Sequence, residues 1–425
     1  MSRTVKTAEI LCVGTELLLG DIVNTNAAYL SRKLAELGIC VYHQSVVGDS
    51  PERLTDALSL ALSRSDLVIT SGGLGPTYDD LTRETVAAAF GLSLELDTGV
   101  LDDIRAYFDR MGRVMTKNNE RQAMVPRGAT VLENTQGTAP GLIVTDEKKN
   151  KTVILLPGPP RELGPMFERS AMPYLRRRSD CVLISKNIYI FGMGESTVES
   201  ELRSMMVDGR NPTIAPYCKA GEVRLRVTAR AKDEPGADAM CERAVADILA
   251  SRVGSCVYAV RDARDGECTM ERVVVEKLIA DGKTVVTAES CTGGLIVKRL
   301  TDVSGSSAAV KGGFVTYTNE MKASVLGVSP RTLEQYTEYS EQVASEMARG
   351  ARLRTGADIA VSTTGIAGPD GGTPDCPVGT VFVGLSSKDG EQVLRLTLSP
   401  DRSRDHIRTL AATHALNLIR TVLEQ

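Results

Sequence analysis

Ser290 lies in the stretch VVTAESCTGG, residues 285–294. Val285, Val286, Thr287 and Ala288 read as a short buried strand. Gly293 and Gly294 open an apolar-periodic run (Leu295, Ile296, Val297, Leu300) that reads as a helix. A serine at so tight a strand-to-helix turn exposes its hydroxyl beside backbone N–H groups of the next helix. Such groups can stabilise the oxyanion of an acyl transfer. The stretch is not a G-x-S-x-G elbow, because no glycine stands two residues before the serine. Its shape also suits an anion-binding or purely structural turn. Cys291 is an alternative nucleophile, but the chain has only three histidines, His43, His406 and His414, to act as a base. His406 and His414 read as ordinary side chains of one closing helix, so a histidine-based triad is disfavoured.

A second base candidate lies in GGFVTYTNEMKASVLGV, residues 312–328. Phe314, Val315 and Tyr317 look like strand, and Thr318 or Asn319 caps a helix with Glu320 and Lys322 in its first turn. The helix dipole disfavours a charged lysine there. Half-neutral lysine at pH 7 must sit ~3.4 below its ordinary ~10.4, which corresponds to ~4.6 kcal/mol. The dipole contributes only ~0.3–1 kcal/mol of that, so desolvation has to supply the rest. Taken alone, Lys322 reads as a surface lysine. The glycine-rich loop STTGIAGPDGG, residues 362–372, follows a strand Ile359–Ser362. Through Thr364, Gly365 and Gly368 its backbone can approach a phosphate group, or it is a plain flexible turn.

The elements that must position these groups alternate. At the front, Ala8–Val13, Val41–Val47 and Asp66–Thr70 read as strands, with Thr25–Leu37 and Glu52–Ser63 as helices between them. This βαβαβ rhythm implies a parallel sheet covered by helices, with ligands at the carboxyl ends of the strands. GTELLLGDIVNTN (14–26) and TSGGLGPTYDD (70–80) fall there. Gly72, Gly73 and Gly75 allow close approach of phosphate oxygens. Thr77 is expected to cap the next helix, with Asp79 and Asp80 in its first turn. Those carboxylates either serve the dipole or hold a divalent cation beside a phosphate. LPGPPREL (156–163) follows the strand Thr152–Leu156, and its prolines can start a helix. In the middle, Lys186–Phe191 and Val223–Ala231 read as strands, Ser196–Met206 and Ala237–Ser251 as helices. Arg224, Arg226 and Arg230 suit a solvated strand face, since no GXXG nucleic-acid clamp is evident.

At 425 residues the chain implies two or three domains. Its 42% hydrophobic and 24% charged residues are those of a soluble globular protein. A net charge of −4 gives no global attraction to nucleic acid or acidic membrane. No apolar run approaches the ~20 residues that span a bilayer, and Thr15 and Glu16 cut short the run Ala8–Val13, so no signal peptide is expected. Nine scattered cysteines without paired spacing suggest reduced thiols in a cytoplasm.

GTELLLGDIVNTN, TSGGLGPTYDD, NNERQAMVP and LPGPPREL together resemble the molybdopterin-binding-type front domain of the CinA family. TAESCTGG, GFVTYTNEMK, STTGIAGPDGG and PVGTV resemble that family's carboxy-terminal domain, which is similar to nicotinamide-nucleotide amidase. The middle resembles its small KH-like connector. The resemblance implies an α/β protein with a molybdopterin-binding-like domain (1–178), a KH-like α+β connector (179–264) and an α/β amidase domain (265–425).

By the same resemblance Ser290 aligns with the nucleophile, Lys322 with the base and Tyr317 with an assisting hydroxyl. The amides around Thr292, Gly293 and Gly294 would face the oxyanion, and the substrate would be nicotinamide mononucleotide, with no cofactor. Cys376 stands where the family commonly has lysine, and Arg402 is the candidate to compensate. At the front the resemblance implicates Glu16, Asn26, Gly72, Gly73, Gly75, Thr77, Asn119, Pro157 and Gly158 in a nucleotide site. Asp79 and Asp80 would hold a divalent cation there, for cleavage of ADP-ribose. It further implies a homodimer with small-molecule nucleotides as partners; with the charge and cysteine readings above, the expectation is a cytoplasmic protein with no nucleic-acid or membrane partner. A competence or damage-response adaptor and a molybdopterin-binding protein are the competing functions.

Overall fold

The computed structural model describes residues 4–219 and 221–424. The chain divides into two compact units. One ends at Ile184 and takes in Ala229–Met240; the other comprises Ser185–Thr228 and the chain from Cys241 onward.

The first unit is built on a six-stranded sheet in the order Cys40–Val47, Thr7–Val13, Leu67–Ser71, Lys151–Leu156, Gly141–Asp146, Thr130–Leu132. Its first four strands are parallel and the last two antiparallel. The expected parallel sheet is therefore the larger part of a mixed one. The reason is local: a short turn joins Gly141–Asp146 to Lys151–Leu156, with Asp146 Oδ1 accepting from the amides of Lys148 and Lys149. So short a connection allows only a hairpin, since a parallel crossover takes a dozen or more residues. Alternate residues face opposite layers, as the two-residue strand period requires. Ile10 and Cys12 pack with Leu30 and Leu34 of the helix Thr25–Glu36. Leu11 and Val13 pack with Leu54 and Leu58 of the helix Pro51–Arg64. Both faces of the sheet are thus covered.

The second unit holds a five-stranded sheet in the order Val310–Val315, Val285–Glu289, Ile359–Gly365, Thr380–Ser387, Gly390–Thr397. The first three strands are parallel, the last two antiparallel. Val285, Ile359 and Val361 pack against Val274 and Leu278 of the helix Met270–Ala280 and Leu416 of the helix Arg404–Leu423. Val286, Ala288 and Ala360 pack against Val343 and Met347 of the helix Glu341–Thr355.

A smaller sheet orders Thr213–Lys219, Glu222–Ala231, Val182–Phe191 and Val257–Asp262. Its two outer strands escape a βαβα reading, because Thr213–Lys219 is largely exposed and Val257–Asp262 only half-buried. The small sheet is a packing element. Tyr189, Phe191 and Tyr258 join the same core as Met270 and Ile407, and the Cys268 amide donates to the Tyr189 hydroxyl at 3.2 Å. His414 sits edge-on to Phe191 at 4.8 Å between ring centroids, and burial pushes its imidazole down. It is the ordinary core side chain expected. Among the described residues no helix is long and apolar enough to cross a membrane.

Candidate active site

Ser290 follows the strand Val285–Glu289, and the turn it begins is fixed from three sides. Its own amide donates to the Thr363 carbonyl at 2.9 Å. From the last helix, Arg408 donates through Nε to the Cys291 carbonyl (3.1 Å) and through Nη2 to that of Thr292 (2.7 Å). Gly293 (φ 60°) and Gly294 (φ 91°) take the left-handed backbone that starts the helix Leu295–Thr301.

The third support is Glu289, which is fully buried. Its Oε1 accepts from the Thr287 hydroxyl (3.1 Å) and the Val297 amide (2.9 Å). Its Oε2 accepts from the Thr292 hydroxyl (2.7 Å) and the Ile296 amide (3.0 Å). This differs from the picture of helix amides free to meet an oxyanion: the helix's leading N–H groups are taken by Glu289, and those of Gly293 and Leu295 by carbonyls within the turn. The amides of Cys291, Thr292 and Gly294 have no acceptor among the described residues.

Ser290 opens into a cleft of about 320 Å³ that Tyr317 and Lys322 also line. Lys322 is 1% exposed, which the helix Asn319–Leu326 explains. Lys322 and Leu326 share its buried face, as residues four apart must, and that helix lies close against Glu341–Thr355. A Cβ on Gly350 of the latter would overlap the Leu326 carbonyl. Lys322 Nζ donates to the Tyr317 carbonyl at 3.4 Å. Burial pushes the ammonium down from its ordinary value, while Glu338 and then Cys291 act in the opposite direction. Burial also pushes the Cys291 thiol up to about 12, which disfavours it as a nucleophile because the thiolate is the reactive form.

Tyr317 lies one residue beyond Thr316, past the end of Val310–Val315, rather than in the strand as expected. That frees its ring, 61% exposed, to reach the cleft mouth, where its hydroxyl accepts from Arg404 Nη2 at 3.3 Å. Thr318 is the cap of the next helix, its hydroxyl accepting from the Met321 amide.

Gly365 and Gly368 line the same cleft; Thr292, Gly293, Gly294, Thr364 and Arg402 do not. Thr292 and Thr364 are buried beneath it. Arg404 lines the cleft instead of Arg402 and donates to the Gly368 carbonyl at 2.8 Å. The register follows from Ser403, which caps the last helix and makes Arg404 its first residue. Cys376 closes a turn on Thr373 and does not reach the cleft.

Glu338 and Tyr339 also line it, as sequence reasoning missed. They follow Thr337, whose φ of 63° and ψ of 169° fall in a region open essentially to glycine. A β-branched residue there costs about 1–3 kcal/mol, whereas glycine adds about 0.5–1 kcal/mol of chain entropy. Thr337→Gly is therefore expected to stabilise the second unit by about 1 kcal/mol, read as a raised midpoint in thermal melting; an unchanged or lowered midpoint would refute the strain.

In the first unit a cleft of about 440 Å³ lies at the carboxyl ends of the parallel strands. Glu16, Gly72, Gly73, Gly75, Thr77, Asp79, Asp80, Pro157 and Gly158 all line it. Gly72 (φ 105°) passes so close to the Val13 carbonyl that a Cβ would overlap it. Asp79 and Asp80 do not fall in a helix's first turn, nor does Thr77 cap one. The helix is Thr82–Ala89, held back by Thr82, whose hydroxyl donates to the Gly72 carbonyl (2.9 Å) and whose amide donates to that of Gly73. Asp80 instead closes the loop by accepting from the amide and hydroxyl of Thr77. Asp79 Oδ1 is buried with no partner.

Asn26 and Asn119 stand behind the cleft. Asn26 Nδ2 donates to Ser71 Oγ (2.9 Å) and the Gly158 carbonyl (2.6 Å), tying two loops together. Asn119 Nδ2 donates at 3.2 Å to Gln122 Oε1, and Gln122 lines the cleft. Pro160, not Pro159, starts the helix Pro160–Met166. Among the described residues no three Asp, Glu, His or Cys side chains converge as a metal cage.

Comparison with known proteins gives three family matches along the chain. They are a probable molybdopterin binding domain over residues 9–177, a damage-inducible protein CinA KH domain over 185–259 and a CinA C-terminal domain over 267–423. A protein of Symbiobacterium thermophilum named for competence-damage inducibility is 50% identical, over 98% of each chain. A CinA-like protein of Kosmotoga olearia is 47% identical over 98% of each. The crystal structure of competence/damage inducible protein CihA from Agrobacterium tumefaciens is similar to 37% of this chain and 98% of its own, at 40% identity and TM-score 0.35.

Proposed function

The chain belongs to the CinA family, and from that premise we propose that its last domain hydrolyses the carboxamide of nicotinamide mononucleotide to nicotinate mononucleotide and ammonia. The observation that carries this reading is the one cleft shared by Ser290, Tyr317 and a buried Lys322. Burial favours the neutral amine, the form able to take the Ser290 proton directly or through the Tyr317 hydroxyl. Ser290 Oγ then attacks the carboxamide carbon. The amides of Cys291, Thr292 and Gly294 are the turn's uncommitted donors, and Cys291 lines the cleft beside Ser290, so its amide would be the first to meet the oxyanion. The proton held by Lys322 passes to the departing nitrogen, ammonia leaves, and water releases the acid from the acyl-enzyme with Lys322 again as base. The glycine-rich loop at Gly365 and Gly368 lines the cleft with Arg404, and together they would meet the ribose phosphate.

For the first unit we propose a second, metal-dependent activity, cleavage of ADP-ribose. The unpartnered, buried Asp79 Oδ1 fits a cation site, and two carboxylates suffice where diphosphate oxygens complete the shell. Asp79 and Asp80 would hold a divalent cation, which would offset the diphosphate charge. The glycine loop and Asn26 position the ligand and the loops around it. The molybdopterin-type family match supports a competing pterin-binding reading of this cleft.

Ammonia release from nicotinamide mononucleotide, with and without chelator, tests the main reading. Wild type is expected to turn over equally in both, and Ser290→Ala in neither. Folded wild-type protein that releases no ammonia would sink it. ADP-ribose cleavage is expected to stop with chelator and in Asp79→Asn; tight pterin binding without cleavage would favour the competing reading.

A further inference from the structure

Glu338 carries a charge that the amidase chemistry alone does not ask for. It lines the cleft with Ser290 and Lys322, and among the described residues it makes no ion pair. The donors that approach it most closely are neutral: Asn319 Nδ2 stands 3.4 Å from Oε2, and the Tyr339 hydroxyl, pushed up by burial and then by this carboxylate, lies beside it. The residue is held in place deliberately. Thr337 before it adopts a backbone that glycine would take more easily, the Thr364 hydroxyl donates to the Glu338 carbonyl at 2.6 Å, and the Ser340 hydroxyl to that of Thr337 at 3.0 Å.

A carboxylate near a lysine that must act as a neutral base is the wrong sign for catalysis, because it favours the ammonium. It becomes the right sign if the ligand brings a positive charge of its own. We propose that Glu338 is a specificity residue that reads the cationic ring of an N-substituted pyridinium carboxamide, an inference that rests on the amidase reading above. The cleft, about 320 Å³, is of a size to hold one mononucleotide. Ser290 and Glu338 line that same cleft, so a ring whose carboxamide meets Ser290 would share it with the half-buried carboxylate, toward which its quaternary nitrogen is drawn. Arg404, at the other sign, remains for the phosphate. The bound cation also offsets the pull of Glu338 on Lys322, so the right ligand helps to free the base.

The test separates ring charge from every other feature by using nicotinamide mononucleotide and its reduced dihydropyridine form, which keeps ribose, phosphate and carboxamide but is uncharged at the ring. Binding is measured by calorimetry on Ser290→Ala protein, where turnover is blocked. The oxidised form is expected to bind at least about tenfold more tightly than the reduced. Adding Glu338→Gln should bring the two within about twofold, while Glu338→Asp, which keeps the charge, should retain most of the preference. Equal binding of the two forms, binding of neither, or an unchanged preference in Glu338→Gln overturns the proposal. If wild type releases no ammonia but the charge preference is present and lost with Glu338, the amidase reading falls and the cation site stands.

Discussion

Lys322→Met is expected to lower kcat for ammonia release by between about 10²- and 10⁴-fold, the range of a lost general base, while making the protein more stable at neutral pH. The two effects have one origin. Lys322 is buried at 1% exposure on the same helix face as Leu326. Its ammonium sits below its ordinary value of 10.5 because burial disfavours the charge. A lysine that binds its proton less tightly folded than unfolded costs stability at all pH below its folded value. That cost shrinks as pH rises through the interval up to 10.5, where the unfolded state binds more protons than the folded one. Wild-type stability should therefore carry a rising component with pH over that interval, and Lys322→Met, of similar length and apolar, should lack it. Denaturation midpoints across neutral to alkaline pH read the slope, and ammonia release reads the catalysis. A variant both active within tenfold and no more stable than wild type would remove Lys322 from its assigned role.

The same experiment extends to Ser290. If Ser290 and Lys322 act as one unit, Ser290→Ala with Lys322→Met should be little worse than either change alone, because each already removes the shared proton transfer. Multiplying losses would mean that the two side chains work separately. That result would leave the cleft without a nucleophile–base pair, for Cys291 beside it has its thiol pushed up to about 12.

What the sequence made legible, and what it did not, follows from how far each residue's role depends on local geometry. The strand, the glycine pair and the helix around Ser290 were readable, because Gly293 and Gly294 announce a left-handed turn by residue type alone. The layered sheets were readable from the succession of short apolar strands and amphipathic helices. Arg402 was singled out where Arg404 lines the cleft, since two residues around a helix start change the direction of a side chain, and only the Ser403 cap fixes the register. By sequence Asp79 and Asp80 suit a first helical turn; Thr82's bonds to the glycine loop, made across ten residues, delay the helix. Glu338 and Tyr339 gave no signal, because their position depends on a backbone conformation that threonine's type argues against. Lys322 looked like a surface lysine until the approach of Glu341–Thr355 at Gly350 showed what buries it.

Glu289 is the residue whose sequence neighbours hid it most completely, and it carries the largest expected effect on stability. A glutamate ending an apolar strand reads as exposed, yet it is fully buried and accepts four hydrogen bonds. Glu289→Ala strands four donors, two of them backbone amides of the helix behind Ser290. A loss of about 3–5 kcal/mol is expected, given about 1.5–3 kcal/mol for a bond to a charged group and partial relaxation. Glu289→Gln is the sharper probe. Each carboxylate oxygen takes one threonine hydroxyl and one backbone amide. A carboxamide turned either way points its NH₂ at one hydroxyl, which can rotate to accept, and at one backbone N–H, which cannot. Gln should therefore cost about 1–3 kcal/mol, the penalty of one unsatisfied buried donor, and should loosen the turn that aims Ser290. Denaturant unfolding of the second unit and kcat for ammonia release are the two readouts, and they should fall in the order wild type, Gln, Ala. Equal stability and rate for wild type and Glu289→Gln would show that the carboxylate's two-sided grip on Thr287, Thr292, Ile296 and Val297 does not hold the nucleophile in place.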